Sequence, residues 1–190
     1  MPRVPAALTL GQLARAGFQE LGESRDALTA LARGVDRPVV ELLEAFGRAA
    51  DPDAALGRIG ELADRHPSLV RGLREAEWRR LTLLVGASPA LGDFFVRRPE
   101  RLAEILARGG RLPSDEESAS ELLAAVGSLD AEAGWVALRV RYRELLAEAM
   151  LFDLERGARG EAAEAFTGVS ATLSGLAAAA LEAALAVARR

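Results

Sequence analysis

None of the 190 residues is cysteine, lysine or asparagine, and His66 is the one histidine. Without cysteine there is no thiol nucleophile, disulfide, zinc ribbon or iron–sulfur ligation. Without lysine there is no Schiff-base chemistry and no phosphate-loop lysine. A single imidazole can complete a serine triad or supply one metal ligand, but it cannot build a histidine-rich centre. Aromatic residues are only 5% of the chain, and the β-branched alternation that marks strands is missing throughout. The chemistry left open is that of carboxylates as acids, bases or magnesium ligands, with arginine as the anion binder.

Half of the residues are apolar, 27% are charged, and the net charge is −4. Those proportions describe a soluble globular chain and exclude disorder. Mild acidity argues against a nucleic-acid partner, because no face has to be basic. All 24 basic residues are arginine, which reads as GC-rich coding more than as selection for bidentate anion binding. The length predicts one domain, 1–190, with residues 1–49 as a looser N-terminal subregion. The start Met1-Pro2-Arg3-Val4-Pro5 lacks the apolar core of a signal peptide, so a cytoplasmic location is expected. Ala165 to Leu181 carries no charge, but Thr167, Gly168, Ser170, Thr172, Ser174 and Gly175 interrupt it. It falls short of the ~20 strongly apolar residues of a membrane span, and a buried, alanine-rich helix with no membrane partner is expected.

Helical punctuation recurs along the chain. Ser24 is placed to cap a helix through about Arg33, and Asp51-Pro52-Asp53 supplies an N-cap, a proline at the first helical position and a carboxylate at the positive end of the dipole. Pro67 and Ser88-Pro89 start further helices, Pro99 follows Arg97-Arg98, and Ser114 with Glu117 forms a capping box. Gly109-Gly110, Gly127 and Gly157 fall where helices should stop. Between these marks apolar residues recur at helical spacing: Leu56, Ile59 and Ala63; Leu91, Phe94 and Phe95; Leu102, Ile105 and Leu106. The fold expected is all-α, an irregular bundle of roughly eight to ten helices. The similar openings at His66-Pro67 and Arg98-Pro99 read as successive helical hairpins, since two copies do not make a solenoid.

A long central helix is expected from Ala131 to about Arg156. Trp135, Leu138, Tyr142, Leu145, Ala149 and Phe152 keep heptad spacing, and Val136, Val140, Ala147, Leu151 and Leu154 make a second apolar face. The solvent stripe narrows to Arg141, Glu144, Glu148 and Glu155, which puts the helix in the middle of a bundle. On that wheel Arg139, Arg143 and Asp153 fall toward the apolar side, where an unpaired charge is costly. They are the candidate buried-charge or interdomain contacts. Either their stems reach water and a neighbouring arginine pairs Asp153, or they face a partner surface.

No catalytic constellation emerges. Asp51-Pro52-Asp53 resembles the metal pair of a nucleotidyltransferase only superficially, because Pro52 marks a helix start and no strand is near. Asp115-Glu116-Glu117 sits in a capping context, and Glu100 and Glu104 share one exposed turn. His66 before Pro67 reads as a turn filler or a cap for carbonyls. Trp78 among Arg74, Arg79 and Arg80 reads as part of a half-buried amphipathic helix before it reads as an anion patch. No catalytic, cofactor-binding or metal residue is assigned.

The runs ADPDAALGRIGELADRHP (Ala50–Pro67), LTLLVGASPALGDFFVRRPERL (Leu81–Leu102), ALRVRYRELLAEAMLFDL (Ala137–Leu154) and LAAAALEAALAVAR (Leu176–Arg189), with the opening Leu13–Leu31, carry a resemblance. Together they resemble the N-terminal helical region of the bifunctional glutamine synthetase adenylyltransferase/adenylyl-removing enzyme in its actinobacterial form. The Ser88–Glu100 block and the Arg139–Leu154 helix are the most specific pieces. The resemblance implies a parent enzyme with two nucleotidyltransferase domains, using ATP and magnesium. One attaches AMP to a tyrosine of glutamine synthetase and the other removes it by phosphorolysis.

It also implies that the first catalytic domain follows the helix ending near Arg190, marked by a Gly-Lys-Leu-Gly-Gly-Arg-Glu-Leu-Asn-Tyr-like stretch. A chain without lysine or asparagine cannot hold that stretch in its usual form. Phe152 stands where the family usually has an arginine before Asp153-Leu154, and Arg143 is followed by Glu144 where a second arginine is usual. The expected role is therefore a non-catalytic segment that packs against and positions the downstream nucleotidyltransferase domain. Its expected partners are that domain and glutamine synthetase, with room for a PII-type signal protein. The competing reading is a free-standing helical interaction module, and a third is a small carboxylate–metal enzyme.

Overall fold

A computed structural model describes residues 8–189. Residues 1–7 and Arg190, and with them the reading of the N-terminus, lie outside the described residues. Every regular element described is an α-helix. The chain forms two compact units, one ending at Ala107 and the other starting at Arg108.

The first unit holds α1 (Leu10–Arg15), α2 (Leu21–Val35), α3 (Val39–Phe46), α4 (Pro52–Arg65), α5 (Pro67–Gly72), α6 (Glu75–Ala87) and α7 (Pro89–Arg97), and it ends within α8 (Leu102–Arg108). The second holds α9 (Asp115–Val126), α10 (Ala131–Gly157) and α11 (Ala162–Ala188). The described residues hold eleven helices against the expected eight to ten, and three of them, α1, α5 and α8, have only 6, 6 and 7 residues.

In the first unit α4 is the hub, packing against α2, α5, α6 and α7. It starts where the punctuation placed it: Pro52 is its first residue, and Asp51 Oδ1 accepts from the Ala54 N–H at 2.9 Å. Its inward stripe of Ala55, Leu56, Ile59 and Leu62 is buried, and Phe94 and Phe95 of α7 are buried too, edge to face at 4.9 Å. Pro67 and Pro89 likewise open α5 and α7, and Ser88 Oγ caps α7 at the Leu91 N–H. Two local readings need correction. Ser24 lies inside α2, not at its start, and its hydroxyl donates to Asp53 Oδ1 at 2.5 Å. Ser114 does cap α9, but Glu117 does not return to complete the box, because its carboxylate is held by Arg111.

The second unit is a three-helix arrangement in which α9, α10 and α11 all pack on one another. Its core consists of Leu122 and Val126 from α9, Leu138 and Leu145 from α10, and Leu176, Ala179, Ala183 and Val187 from α11. The alanines let α11 approach its neighbours closely. α11 departs from its expectation. Its 27 residues carry a window of mean hydropathy 1.7, long and apolar enough to cross a membrane by length and composition, and only 28% of that window is buried. The charge-free run is thus a helix with one covered stripe, not a buried helix.

Candidate functional site

The densest assembly of charged groups lies in the second unit, on the side of α10 that the helical wheel assigns to water. Arg141, Glu144 and Glu148 are 8, 7 and 0% exposed, and Glu155 is half-buried. The reading of these four as a solvent stripe is overturned. A wheel assigns charges to water unless it knows which opposite charges the tertiary structure brings, and here they come from α9 and from the stretch that precedes it.

Arg111 is the centre. Its Nε donates to Glu148 Oε2 at 2.5 Å, Nη1 to Glu117, and Nη2 lies 3.6 Å from Glu121 Oε1. Three nitrogens of one planar fork thus serve three carboxylates, a geometry that a lysine ammonium does not provide. Burial pulls the Arg111 pKa down, but the hydrogen bond to Glu117 and the charge of Glu148 outweigh it, and the pKa is raised. Glu148 Oε1 has the Arg108 guanidinium at 3.6 Å. Arg141 joins the two helices, donating to Glu144 at 2.6 Å and to Glu121 of α9.

Backbone contacts fix the stretch to α10. The Arg111 N–H donates to the Glu148 carbonyl at 3.1 Å, and the Gly110 N–H to Glu155 Oε2 at 3.0 Å. Gly109, with φ of 86°, makes the preceding turn. Of the three charges singled out from the sequence, Arg139 and Arg143 are exposed and Asp153 is half-buried.

The other candidates are engaged locally. Asp53 accepts from the Gln19 N–H and the Ser24 hydroxyl, tying the start of α2 to α4. His66 places Nε2 3.1 Å from the Val96 carbonyl. Trp78 is 2% exposed and lies under the Arg37 guanidinium at 5.6 Å, while Arg37 also donates to the Leu73 carbonyl. Arg37 was not legible as a partner, since 41 positions separate it from Trp78 in the numbering. A groove of about 420 Å³ between α2 and α4 is lined by Ala27, Ala30, Gly34, Gly60 and Ala63. At its edge Arg71 Nε donates to the Gly34 carbonyl, and Asp64 also lines it.

Glu77 supplies a titratable contact in the first unit. It is 6% exposed and accepts from the Arg74 N–H at 2.7 Å and from Arg74 Nε at 3.0 Å. The hydrogen bond from the Arg74 side chain lowers its pKa, against burial, which raises it. A carboxyl whose folded pKa is depressed contributes stability that is complete above its unfolded value and is lost as pH falls through the folded one. Wild type should therefore lose stability faster than Glu77→Gln as pH drops from the ordinary glutamate value of about 4.3. Urea midpoints measured across that range check this, and parallel curves would refute it.

Among the described residues no three His, Asp or Glu side chains converge to hold a metal ion, and the Asp51/Asp53 pair is committed to helix contacts. The donor set does not fit magnesium or a magnesium–nucleotide complex. What the fold and its charges define is an all-helical protein whose densest ion pairs join its own elements. Comparison with known proteins places it more closely.

The chain is 43% identical, across a 193-position alignment that covers 96% of its residues, to a bifunctional glutamine synthetase adenylyltransferase/adenylyl-removing enzyme of Leifsonia xyli subsp. xyli. It is 38% identical, across a 161-position alignment that covers 80% of its residues, to that of Mycobacterium avium, and 36% identical over its whole length to that of Mycolicibacterium smegmatis. The chain is homologous to a segment of these enzymes, and it spans about a fifth of their length: 19, 16 and 19% respectively. No family model and no solved structure matches it.

Proposed function

We propose that the chain is the non-catalytic N-terminal helical segment of an enzyme that adenylylates and deadenylylates glutamine synthetase, and that it packs against and positions the nucleotidyltransferase domain. The observation that carries this reading is 43% identity along 96% of the chain to only 19% of a relative. The internal use of its charges agrees: Arg111 and Arg141 spend their donors on carboxylates of the same unit. In this reading ATP, magnesium and the reacting groups belong to the rest of the enzyme, and glutamine synthetase is the parent's protein substrate.

The test is direct. The purified chain, incubated with unmodified or adenylylated glutamine synthetase, ATP, phosphate and magnesium, is expected to neither transfer nor release AMP. A rate that a point substitution in this chain abolishes would sink the proposal.

A further inference from the structure

α11 buries one stripe and leaves another bare. Ala165, Thr172, Leu176, Ala179, Ala183 and Val187 are covered, whereas Phe166, Leu173, Leu181 and Leu185 are 69, 41, 73 and 49% exposed. At about 100° per residue these four fall within an arc of roughly 120°. Ser170, Ser174 and Ala177 lie between them in the same arc. The charges of the helix, Glu164 and Glu182, lie outside it. A solvated helix face normally carries charge, and a contiguous bare apolar surface marks a place where something docks.

We infer that this face of α11 is the surface on which the rest of the parent polypeptide, the four fifths of its length that the 19% match leaves out, packs. This rests on the functional reading above and names the surface that performs it. The length of the relatives supplies the occupant, because most of their polypeptide is unaccounted for by this chain. The chemistry of the face agrees. Small residues between Phe166, Leu173 and Leu181 leave grooves that ridges of another helix can enter. A lipid surface is the poorer match: interfacial helices carry Lys or Arg on their polar face and aromatic anchors, and α11 offers Glu164 and Glu182 there.

The absence of cysteine from the chain makes the test clean. Leu181→Cys and Phe166→Cys, with Val40→Cys on the exposed first-unit residue Val40 as a reference, are made in the chain alone. The same three are made in a full-length Leifsonia xyli enzyme whose matched segment is replaced by this chain. Maleimide labelling is followed by peptide mass. The expected result is that positions 166 and 181 label at least tenfold more slowly in the full-length protein than in the chain alone, relative to Val40→Cys.

Equal labelling in a chimera that still adenylylates glutamine synthetase overturns the surface and leaves the functional reading intact. A folded chimera without activity overturns the functional reading, and its labelling ratio still decides the surface. Two results for the isolated chain also overturn the inference. One is slow labelling that speeds on dilution, which assigns the face to a second copy. The other is protection that appears only with vesicles of phosphatidylglycerol and phosphatidylethanolamine.

Discussion

Glu148→Ala is expected to destabilise the second unit by about 3 kcal/mol, the low end of the range for breaking a buried ion pair from one side. Glu148 is 0% exposed and takes the Arg111 Nε hydrogen bond, with Arg108 beside its other oxygen. Removing it leaves the Arg108 and Arg111 guanidinium groups facing a dry gap, with Glu117 and Glu121 as the two carboxylates still beside Arg111. Arg111 is 24% exposed in its side chain, so part of its charge can rehydrate, which is why the low end applies. Glu148→Gln keeps a carbonyl acceptor for Nε and should cost about half as much, since the hydrogen bond survives and the charge does not. Urea unfolding followed by circular dichroism checks both. A loss below about 0.5 kcal/mol, the range of ordinary surface substitutions, would show that the network contributes no stability.

The reason this site was invisible in the sequence is instructive when set beside what was visible. The helix starts at Pro52, Pro67 and Pro89 and the caps Asp51, Ser88 and Ser114 were readable, because capping is settled by residues three or four apart. The buried stripe of α4 and the phenylalanines of α7 were readable for the same reason: a period is local. Charge placement is not local. Arg141, Glu144 and Glu148 recur at the spacing of a solvent face, and nothing within α10 distinguishes that from a face covered by opposite charges. Their partner Arg111 stands 37 positions away from Glu148, in a non-helical stretch with no period of its own. Ser24 failed similarly, its hydroxyl being claimed by Asp53 across 29 positions. For α11 the composition was legible and the exposure was not, since a charge-free run reads equally as core or as a docking face.

Gly110→Ala is expected to be the most disruptive single-methyl change in the chain, at about 3 kcal/mol, the upper end of the range for overpacking. A Cβ at Gly110 would enter the backbone of α10 at Leu151 and Phe152, and helix backbone cannot swing aside as a side-chain tip can. The stretch would have to lift away from α10, taking with it the Gly110 bond to Glu155 and the Arg111 bond to the Glu148 carbonyl. Gly57→Ala is the matched control: Gly57 lies inside α4 with nothing within 4 Å of the added methyl, and alanine there should stabilise by about 0.5–1 kcal/mol. Because lifting the stretch also withdraws Arg108 and Arg111 from Glu148, the two disruptions share one cause. Gly110→Ala combined with Glu148→Ala should therefore cost at least ~1 kcal/mol less than the sum of the singles, the coupling expected of residues in one network. Additive losses would mean that the backbone contact and the ion pairs hold the stretch independently, and that the close approach at Gly110 is not what brings the arginines to Glu148.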